Sequence, residues 1–364
     1  MSTPSRPRLL LAPMEGLLDH ALRDLLTRVG GVDHGVSEFL RITGTLLPPK
    51  FFRRVVPELQ NGWRTRAGVK VHPQLLGSDA ACMADNAARL AGLGTEPPPA
   101  IDLNFGCPAK TVNRHRGGAV LLDEPELLGE IAGQVRRAVP PHVPITAKMR
   151  LGNECDSRSL ECALALVGAG VSGLVIHART KVQGYKPPAY WHKIAQLKEG
   201  LPSGFPVVAN GEIWTVDDAR RARAESGCAD LMLGRGLVTR PGLALAIRRA
   251  DELGLDDAGL AQAEGPEWSW ADMQPLLQAF WWKSERHVAA RHRSGRLKQW
   301  LFYLRNHYAE AAEWHARVRT IADHQALAHA LWGGLPPDLD AGTAQPGEPI
   351  LLGAQGLEDE LAFD

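Results

Sequence analysis

The sequence of 364 residues has only five cysteines, and their spacing matches no disulfide or metal-binding motif. The five are scattered, odd in number and never arranged as C-x-x-C, so we expect no disulfide framework, no metal and reduced thiols. The chain also lacks long apolar runs, since none approaches the roughly 20 residues that span a bilayer. Residues 1–7 are polar and unlike a secretory signal. We therefore expect a cytoplasmic protein without a membrane partner.

The loop after the first apolar run lacks a glycine-rich nucleotide-binding signature. It reads Ala12-Pro13-Met14-Glu15-Gly16, without G-x-G-x-x-G, which argues against a doubly wound open sheet. Short apolar, β-branched runs instead alternate with helix-like stretches about every 30 residues, which predicts an α/β fold, a (β/α)8 TIM barrel. The predicted strands are Arg8–Pro13, His34–Phe39, Val69–Leu75, Ala100–Phe105, Pro144–Arg150, Gly173–Arg179, Pro206–Asn210 and Leu231–Arg235. The predicted helices are Asp19–Val29, Asp79–Gly92, Glu124–Ala138, Ser157–Gly168, Val216–Ser226 and Arg240–Ala250.

The pattern changes after Ala250. In residues 270–332 the apolar residues recur with the period of a helix, and aromatic residues are frequent. This pattern predicts an all-helical domain that follows the barrel in the sequence. We expect a barrel domain over 8–250, a linker over 251–268, a helical domain over 269–332 and a loosely ordered acidic tail over 333–364.

Charge is segregated along the chain although the net charge is zero. Residues 251–282 carry −7, residues 283–319 carry +6 with four histidines besides, and residues 320–364 carry −8. Solvated helices often alternate in charge, but a compact basic segment between two acidic ones favours a contact with a polyanion.

Nearly every predicted strand ends in a polar or ionisable residue. Because the carboxyl ends of barrel strands carry the chemistry, this pattern predicts a wide polar bowl for a large ligand. Asn210-Gly211 and Gly234-Arg235 follow strands seven and eight, where many barrels bind a phosphate. Cys107, in Asn104-Phe105-Gly106-Cys107-Pro108, could act there as a nucleophile, a metal ligand, a proton donor or an inert group. The scattered cysteines argue against the metal ligand.

Six segments, in order, resemble the tRNA-dihydrouridine synthases, which are FMN-dependent barrel enzymes with a C-terminal helical tRNA-binding domain. They are Leu11–Gly16, Leu103–Pro108 with Lys110, Lys148–Gly152, His177–Thr180, Asn210–Ile213 and Gly234–Gly236. The resemblance runs from about Leu9 to about Ala330. Three further stretches, Glu58–Asn61, Gln183–Tyr185 and Lys298–Arg305, resemble the bacterial branch that reduces uridine 16 in the D-loop, with another uridine such as U20 as the alternative.

The resemblance implies reduction of uridine to 5,6-dihydrouridine in tRNA, with NADPH as reductant. Hydride would pass from reduced FMN to C6, and Cys107 would give a proton to C5. A thiol with its ordinary pKa of about 8.5 stays mostly protonated and can do this. A nucleophile would need a lowered pKa and a base, for which His115 and His177 are candidates. The resemblance assigns FMN to Pro13, Met14, Glu15, Gln74, Lys148, His177, Asn210, Gly211, Glu212, Gly234 and Arg235.

The resemblance also assigns contacts with tRNA. On the barrel these are Arg41, Asn104, Arg150 and Tyr185, and on the helical domain Arg296, Lys298, Tyr303 and Arg319. Arg296 and Lys298 are about 200° apart on a helix, so we expect one of them to serve the structure instead. Trp300 and Leu304, four residues apart, are expected in the core.

Two other classes of function remain open. One is a Schiff-base aldolase that uses Lys148, since such barrels often carry a lysine at a strand end. The other is a catalytically silent RNA-binding protein on a flavin-enzyme scaffold. A monomer is expected, and no dinucleotide fingerprint supports NADPH, which rests on the resemblance alone.

Overall fold

The computed structural model describes residues 6–262 and 268–341. The chain divides into two compact units, Met1–Glu267 and Trp268–Asp364. Within the described ranges, no helix combines the length and apolar character needed to cross a membrane.

The first unit is built on eight parallel strands that close into a barrel in chain order. The last strand pairs with the first, with Leu10 opposite Met232. The predicted (β/α)8 TIM barrel is therefore confirmed. The strands are β1 (Leu9–Leu11), β2 (His34–Arg41), β3 (Lys70–Leu76), β4 (Ile101–Phe105), β5 (Ile145–Gly152), β6 (Leu174–Thr180), β7 (Val207–Asn210) and β8 (Leu231–Leu233).

Helices follow most of the strands, and side-chain caps begin three of the longer ones. Asp19 and Asp79 accept backbone N–H groups of the first turn, and Thr215 forms a capping box with Asp218. The helices are α1 (His20–Val29), α2 (Pro49–Val55), α3 (Ala80–Ala91), α4 (Lys110–Asn113), α5 (Pro125–Ala138), α6 (Ser159–Gly168), α7 (Trp191–Glu199), α8 (Val216–Ser226), α9 (Arg235–Thr239), α10 (Leu243–Leu253) and α11 (Asp257–Gln262). Two 3₁₀ helices span Pro57–Asn61 and Gly118–Asp123.

Several predicted boundaries are wrong by two or three residues. Helix α6 begins at Ser159 rather than Ser157, because the Ser157 hydroxyl is hydrogen-bonded with the Cys155 thiol and does not cap the helix. Strand β8 ends at Leu233, and Arg235 already belongs to α9. Helix α10 runs three residues later than predicted, to a left-handed Gly254.

The barrel interior has an apolar side and a polar side. Apolar residues of five strands and the β1 loop form one buried cluster: Leu10, Ala12, Val36, Val175, Val208 and Met232. Lys148 lies opposite Val175 in the β5–β6 register and opposite Asn104 in the β4–β5 register, so all three share the inner face. Gln74 and Asp102 are paired in the same way between β3 and β4. The polar side chains of β3, β4 and β5 therefore line one side of the interior.

Residues 268–341, the described part of the second unit, contain four helices: α12 (Trp270–His287), α13 (Ala290–Leu304), α14 (Ala309–Val318) and α15 (His324–Trp332). Trp300 and Leu304 are almost fully buried, which confirms their expected place in the core. The Trp300 indole packs edge-on against Phe280 at 5.1 Å between ring centroids. An aromatic core thus supports this unit.

The predicted linker and tail are more regular than their composition indicated. Residues 251–268 include the end of α10 and all of α11, while 263–267 lie outside the described residues. In the predicted tail, Asp338 pairs with Arg286 at 2.6 Å and Asp340 lies 3.9 Å from Lys283. These ion pairs fasten the start of the tail to α12, and residues 342–364 lie outside the described part. The four domain boundaries stay predictions.

Candidate active site

The loop that carries Cys107 is fixed from both sides. The N–H groups of Gly106 and Cys107 both donate to the Asn104 side-chain oxygen at 2.9 Å. The Cys107 carbonyl accepts from the Ala119 N–H and the Asn113 amide, each at 3.0 Å. Gly118 has φ +69°, and a Cβ there would lie 2.6 Å from the Cys107 carbonyl oxygen. The backbone of Cys107 therefore has a defined position directly beyond β4.

The Cys107 thiol is buried, with 9% of the residue exposed. Burial raises its pKa to about 11, against a smaller lowering effect of the Ala109 backbone. The sequence predicted an ordinary value, so the structure holds the thiol protonated more strongly than expected. A raised pKa is the opposite of what an activated nucleophile requires, and it favours the proton donor.

Lys148 and Arg150 bring positive charge to the end of β5. Burial and the neighbouring Arg150 lower the pKa of Lys148 to about 8. The Lys148 ammonium makes no hydrogen bond or ion pair within residues 6–262 and 268–341. Its donors are therefore available to a ligand in the barrel mouth.

His177 contributes an imidazole with an open nitrogen. Burial, followed by the charges of Arg150 and Lys148, lowers the pKa of His177 well below its usual value, so the ring is neutral. Its Nδ1 is buried without a hydrogen-bond partner among the described residues. A Cβ on Gly211, where φ is +114°, would lie only 3.2 Å from His177 Nε2. The site thus combines the unpaired Nδ1 of His177 with Gly211, whose missing side chain leaves room next to the imidazole. A ligand ring with a polar edge would fit this combination.

Glu212 organises the end of β7. Its carboxylate pairs with Arg179 and, at 3.4 Å, with Arg235, and it accepts the Trp214 indole N–H at 2.8 Å. The Arg235 guanidinium also lies 4.7 Å from the Tyr185 ring centroid. The carboxylate therefore holds Arg235 at the position where the sequence predicts phosphate binding. Sequence reasoning missed Trp214.

The four barrel residues that are predicted to contact tRNA differ in their burial and in their contacts within the protein. Arg150 is buried and donates to the carbonyls of Gly106 at 2.9 Å and of Gly184 at 3.0 Å. Tyr185 is half exposed, and its ring lies 5.1 Å from the Arg150 guanidinium. Arg41 lies 3.4 Å from Glu15. Asn104 is buried at the end of β4.

In the second unit, the predicted tRNA contacts lie on α13 and just after α14. Arg296 stacks over the Phe280 ring at 5.6 Å, and the Lys298 ammonium donates to the Ile321 carbonyl at 3.0 Å. Arg296 and Lys298 thus both have contacts within the protein. Tyr303 is partly buried, and Arg319 is exposed.

Sequence reasoning also missed Asp102, which lies in β4 and is almost fully buried. It accepts from the Gln74 amide at 2.7 Å and from the Thr146 hydroxyl at 2.6 Å. The available signal was an acid within the otherwise apolar run Ile101-Asp102-Leu103.

Together these features define a class of protein: a (β/α)8 barrel with a buried, protonated thiol beyond β4 and, on β5, an ammonium that makes no hydrogen bond within the described residues. The comparisons agree with this class. The model of the dihydrouridine synthase (Dus) family matches residues 10–331, and the chain belongs to that family.

Proteins named tRNA-dihydrouridine(16) synthase are similar to this chain over nearly their whole length. The protein of Aquipseudomonas alcaligenes is 54% identical over 321 residues, which cover 88% of this chain and 97% of that protein. The protein of Pseudomonas putida is 52% identical, with 89% and 96% covered. The protein of Cupriavidus necator is 48% identical, with 90% and 97% covered.

Proposed function

We propose that this chain reduces uridine 16 of tRNA to 5,6-dihydrouridine, with FMN as cofactor and NADPH as reductant. The three relatives described above carry that position in their names. The observation that supports the chemistry best is the buried Cys107 thiol, whose raised pKa keeps its proton available at the carboxyl end of the barrel.

The residues around the barrel mouth fit FMN. Bound FMN would supply the hydride that adds to C6 of the uracil. Lys148 and Gln74 would bind the polar edge of the ring, and the open Nδ1 of His177 would face the same edge. Gly211 would permit close approach, and Arg235, held by Glu212, would bind the phosphate. The remaining residues of the proposed cofactor site are Pro13, Met14, Glu15, Asn210 and Gly234.

Cys107 would act as the general acid. Addition of hydride at C6 leaves electron density on C5 of the uracil, and C5 then takes the proton of the Cys107 Sγ–H. The sulfur is left as a thiolate, which takes a proton back from solvent because its pKa is about 11. Each turnover therefore returns the thiol to its starting form.

The tRNA must present the target base outside its stack to reach this bowl. Arg41, Asn104, Arg150 and Tyr185 would contact the base and its neighbours. Arg296, Lys298, Tyr303 and Arg319 would contact the phosphates from the helical unit, with Lys298 and Arg296 also serving the structure. We expect a monomer in the cytoplasm.

Mapping of dihydrouridine in tRNA lacking the modification tests the proposal. The purified chain with FMN and NADPH is expected to modify position 16 of a transcript with U16 and to leave a C16 transcript unmodified there. Cys107→Ala should lose at least a hundredfold in rate, whereas Cys162→Ala, at a buried thiol hydrogen-bonded to the Leu122 carbonyl, should not.

Three outcomes would overturn parts of the proposal. Full activity of Cys107→Ala would remove the acid role, and modification at position 20 alone would remove the site preference. A colourless protein that forms a borohydride-stable adduct at Lys148 would instead point to an aldolase.

A further inference from the structure

A continuous chain of hydrogen bonds joins three strands inside the barrel. The Thr146 hydroxyl and the Gln74 amide NH₂ both donate to the Asp102 carboxylate, at 2.6 and 2.7 Å. The Asn104 amide NH₂ donates to the Gln74 side-chain oxygen at 2.8 Å. The chain ends where the Asn104 oxygen accepts two backbone N–H groups of the Cys107 loop.

The chemistry of the two ends fixes the direction of every bond between them. Backbone N–H groups can only donate, so the oxygen of Asn104 must face the Cys107 loop. At the other end, the Asp102 carboxylate accepts from the NH₂ of Gln74; burial raises the pKa of Asp102, and the hydrogen bonds from Gln74 and Thr146 act against that rise. Both amides are therefore held in one of their two orientations, and a flip of either would set donor against donor in a buried place.

We propose that Asp102 is a positioning residue that fixes the orientation of the Gln74 and Asn104 amides, and through them holds the Cys107 loop and sets the donor presented to the substrate base. The inference rests on the proposed function for the identity of that base. Asp102 does not touch substrate or cofactor in this scheme.

The fixed orientation has a consequence for base selection. Both lone pairs of the Asn104 oxygen are occupied by backbone N–H groups, and one amide hydrogen is given to Gln74. One N–H remains, so Asn104 can offer the base a donor and no acceptor. A donor suits a ring carbonyl of uracil and opposes the amino group that cytosine carries at C4.

The position of Asp102 makes it suited to this role. It is 1% exposed and lies between its two donors on the neighbouring strands β3 and β5. Without its carboxylate, the Gln74 NH₂ would lose its buried acceptor, and only the two N–H groups of the Cys107 loop would hold the amide pair in its orientation. The Asn104 oxygen would then hold the Cys107 loop less firmly.

The test compares Asp102→Ala with two matched variants in the full purified chain. Asp102→Asn can keep the orientation, because its oxygen can accept from Gln74 while its NH₂ donates to the Thr146 hydroxyl. Thr146→Val removes one partner of Asp102 and leaves the amide chain intact. Asp102→Ser replaces Asp102→Ala if the latter does not fold.

The first readout is the rate at which iodoacetamide alkylates Cys107 at pH 8. We expect at least a tenfold increase in Asp102→Ala, and less than a threefold change in Asp102→Asn and Thr146→Val. The second readout is the ratio of Kd values for C16 and U16 transcripts, which should fall at least fivefold in Asp102→Ala alone. A merely structural defect would weaken both transcripts equally.

An Asp102→Ala variant whose alkylation rate and base preference both equal those of the wild type would overturn the inference. So would an Asp102→Asn that behaves like Asp102→Ala, because the carboxylate charge rather than amide orientation would then be responsible. Alkylation needs neither tRNA nor NADPH, so this arm can fail or succeed independently of dihydrouridine formation. The proposed function fails separately, if wild-type protein modifies no tRNA.

Discussion

The pKa of Cys107 can be read directly from its rate of alkylation, with another cysteine of the same chain as reference. Only the thiolate reacts with iodoacetamide. With a pKa of about 11, roughly one Cys107 thiol in 1,000 is ionised at pH 8. An ordinary thiol, with a pKa of about 8.5, is about one-quarter ionised at that pH. Ionisation alone therefore predicts alkylation about 200-fold slower than for an exposed ordinary cysteine.

Cys155 supplies the reference, since it is exposed and hydrogen bonds with Ser157 lower its pKa. The purified chain would be alkylated from pH 7 to pH 10, with the modified peptides quantified by mass spectrometry and Cys107→Ala used to assign the peptide. The Cys107 rate should rise about tenfold per pH unit over the whole range, whereas the Cys155 rate should level off by pH 9.

The slope of the alkylation rate against pH distinguishes weak ionisation of the thiol from restricted access of iodoacetamide to it. Restricted access alone would slow Cys107 by the same factor at every pH. A Cys107 rate that levels off near pH 8, or one within tenfold of Cys155 at that pH, would refute the raised pKa. Cys107 would then not keep its proton between turnovers, as a general acid must.

Two further predictions follow from the glycines and from a histidine pair. Gly211→Ala should weaken FMN binding at least tenfold, measured by fluorescence quenching, because the new Cβ would lie 3.2 Å from His177 Nε2. Gly254 also has a positive φ, but a Cβ there would have no atom within 4 Å. If Gly254→Ala and Gly211→Ala weakened FMN binding equally, backbone strain rather than the contact with His177 would be the cause. His34 and His72 stack at 4.4 Å, and burial lowers their pKa values to about 4 and about 3. Because both lie below the unfolded value, the stability they contribute is present above about pH 6.5 and is lost as pH falls towards 4. Urea unfolding at pH 7 and pH 5 should show that loss, and His34→Gln/His72→Gln should reduce it; an unchanged pH dependence would contradict it.

The sequence predicts the barrel well because each strand carries its own local signal. The eight apolar runs correspond one to one with β1 to β8, and Asn104–Pro108 lies at the end of β4 as expected. The helix Trp191–Glu199 went unpredicted, since the residue before it, Tyr190, provides no side-chain cap that would mark the start of a helix. The role of Glu212 was also inaccessible, because its partners Arg179 and Arg235 come from β6 and α9.

The raised pKa of Cys107 shows why the protonation state of a residue cannot be predicted from its sequence motif alone. Opposing effects act on the pKa of Cys107: burial, helped by the charge of Glu15, stabilises the neutral thiol, whereas a hydrogen bond with the Ala109 backbone and the charges of Arg41 and Arg150 stabilise the thiolate. The sequence reveals the cations, which on their own would indicate an activated nucleophile. It does not reveal that Gly118 lies against Cys107, where the missing side chain lets the next loop approach the Cys107 carbonyl. Burial has the larger effect, so a cysteine among cations remains an acid.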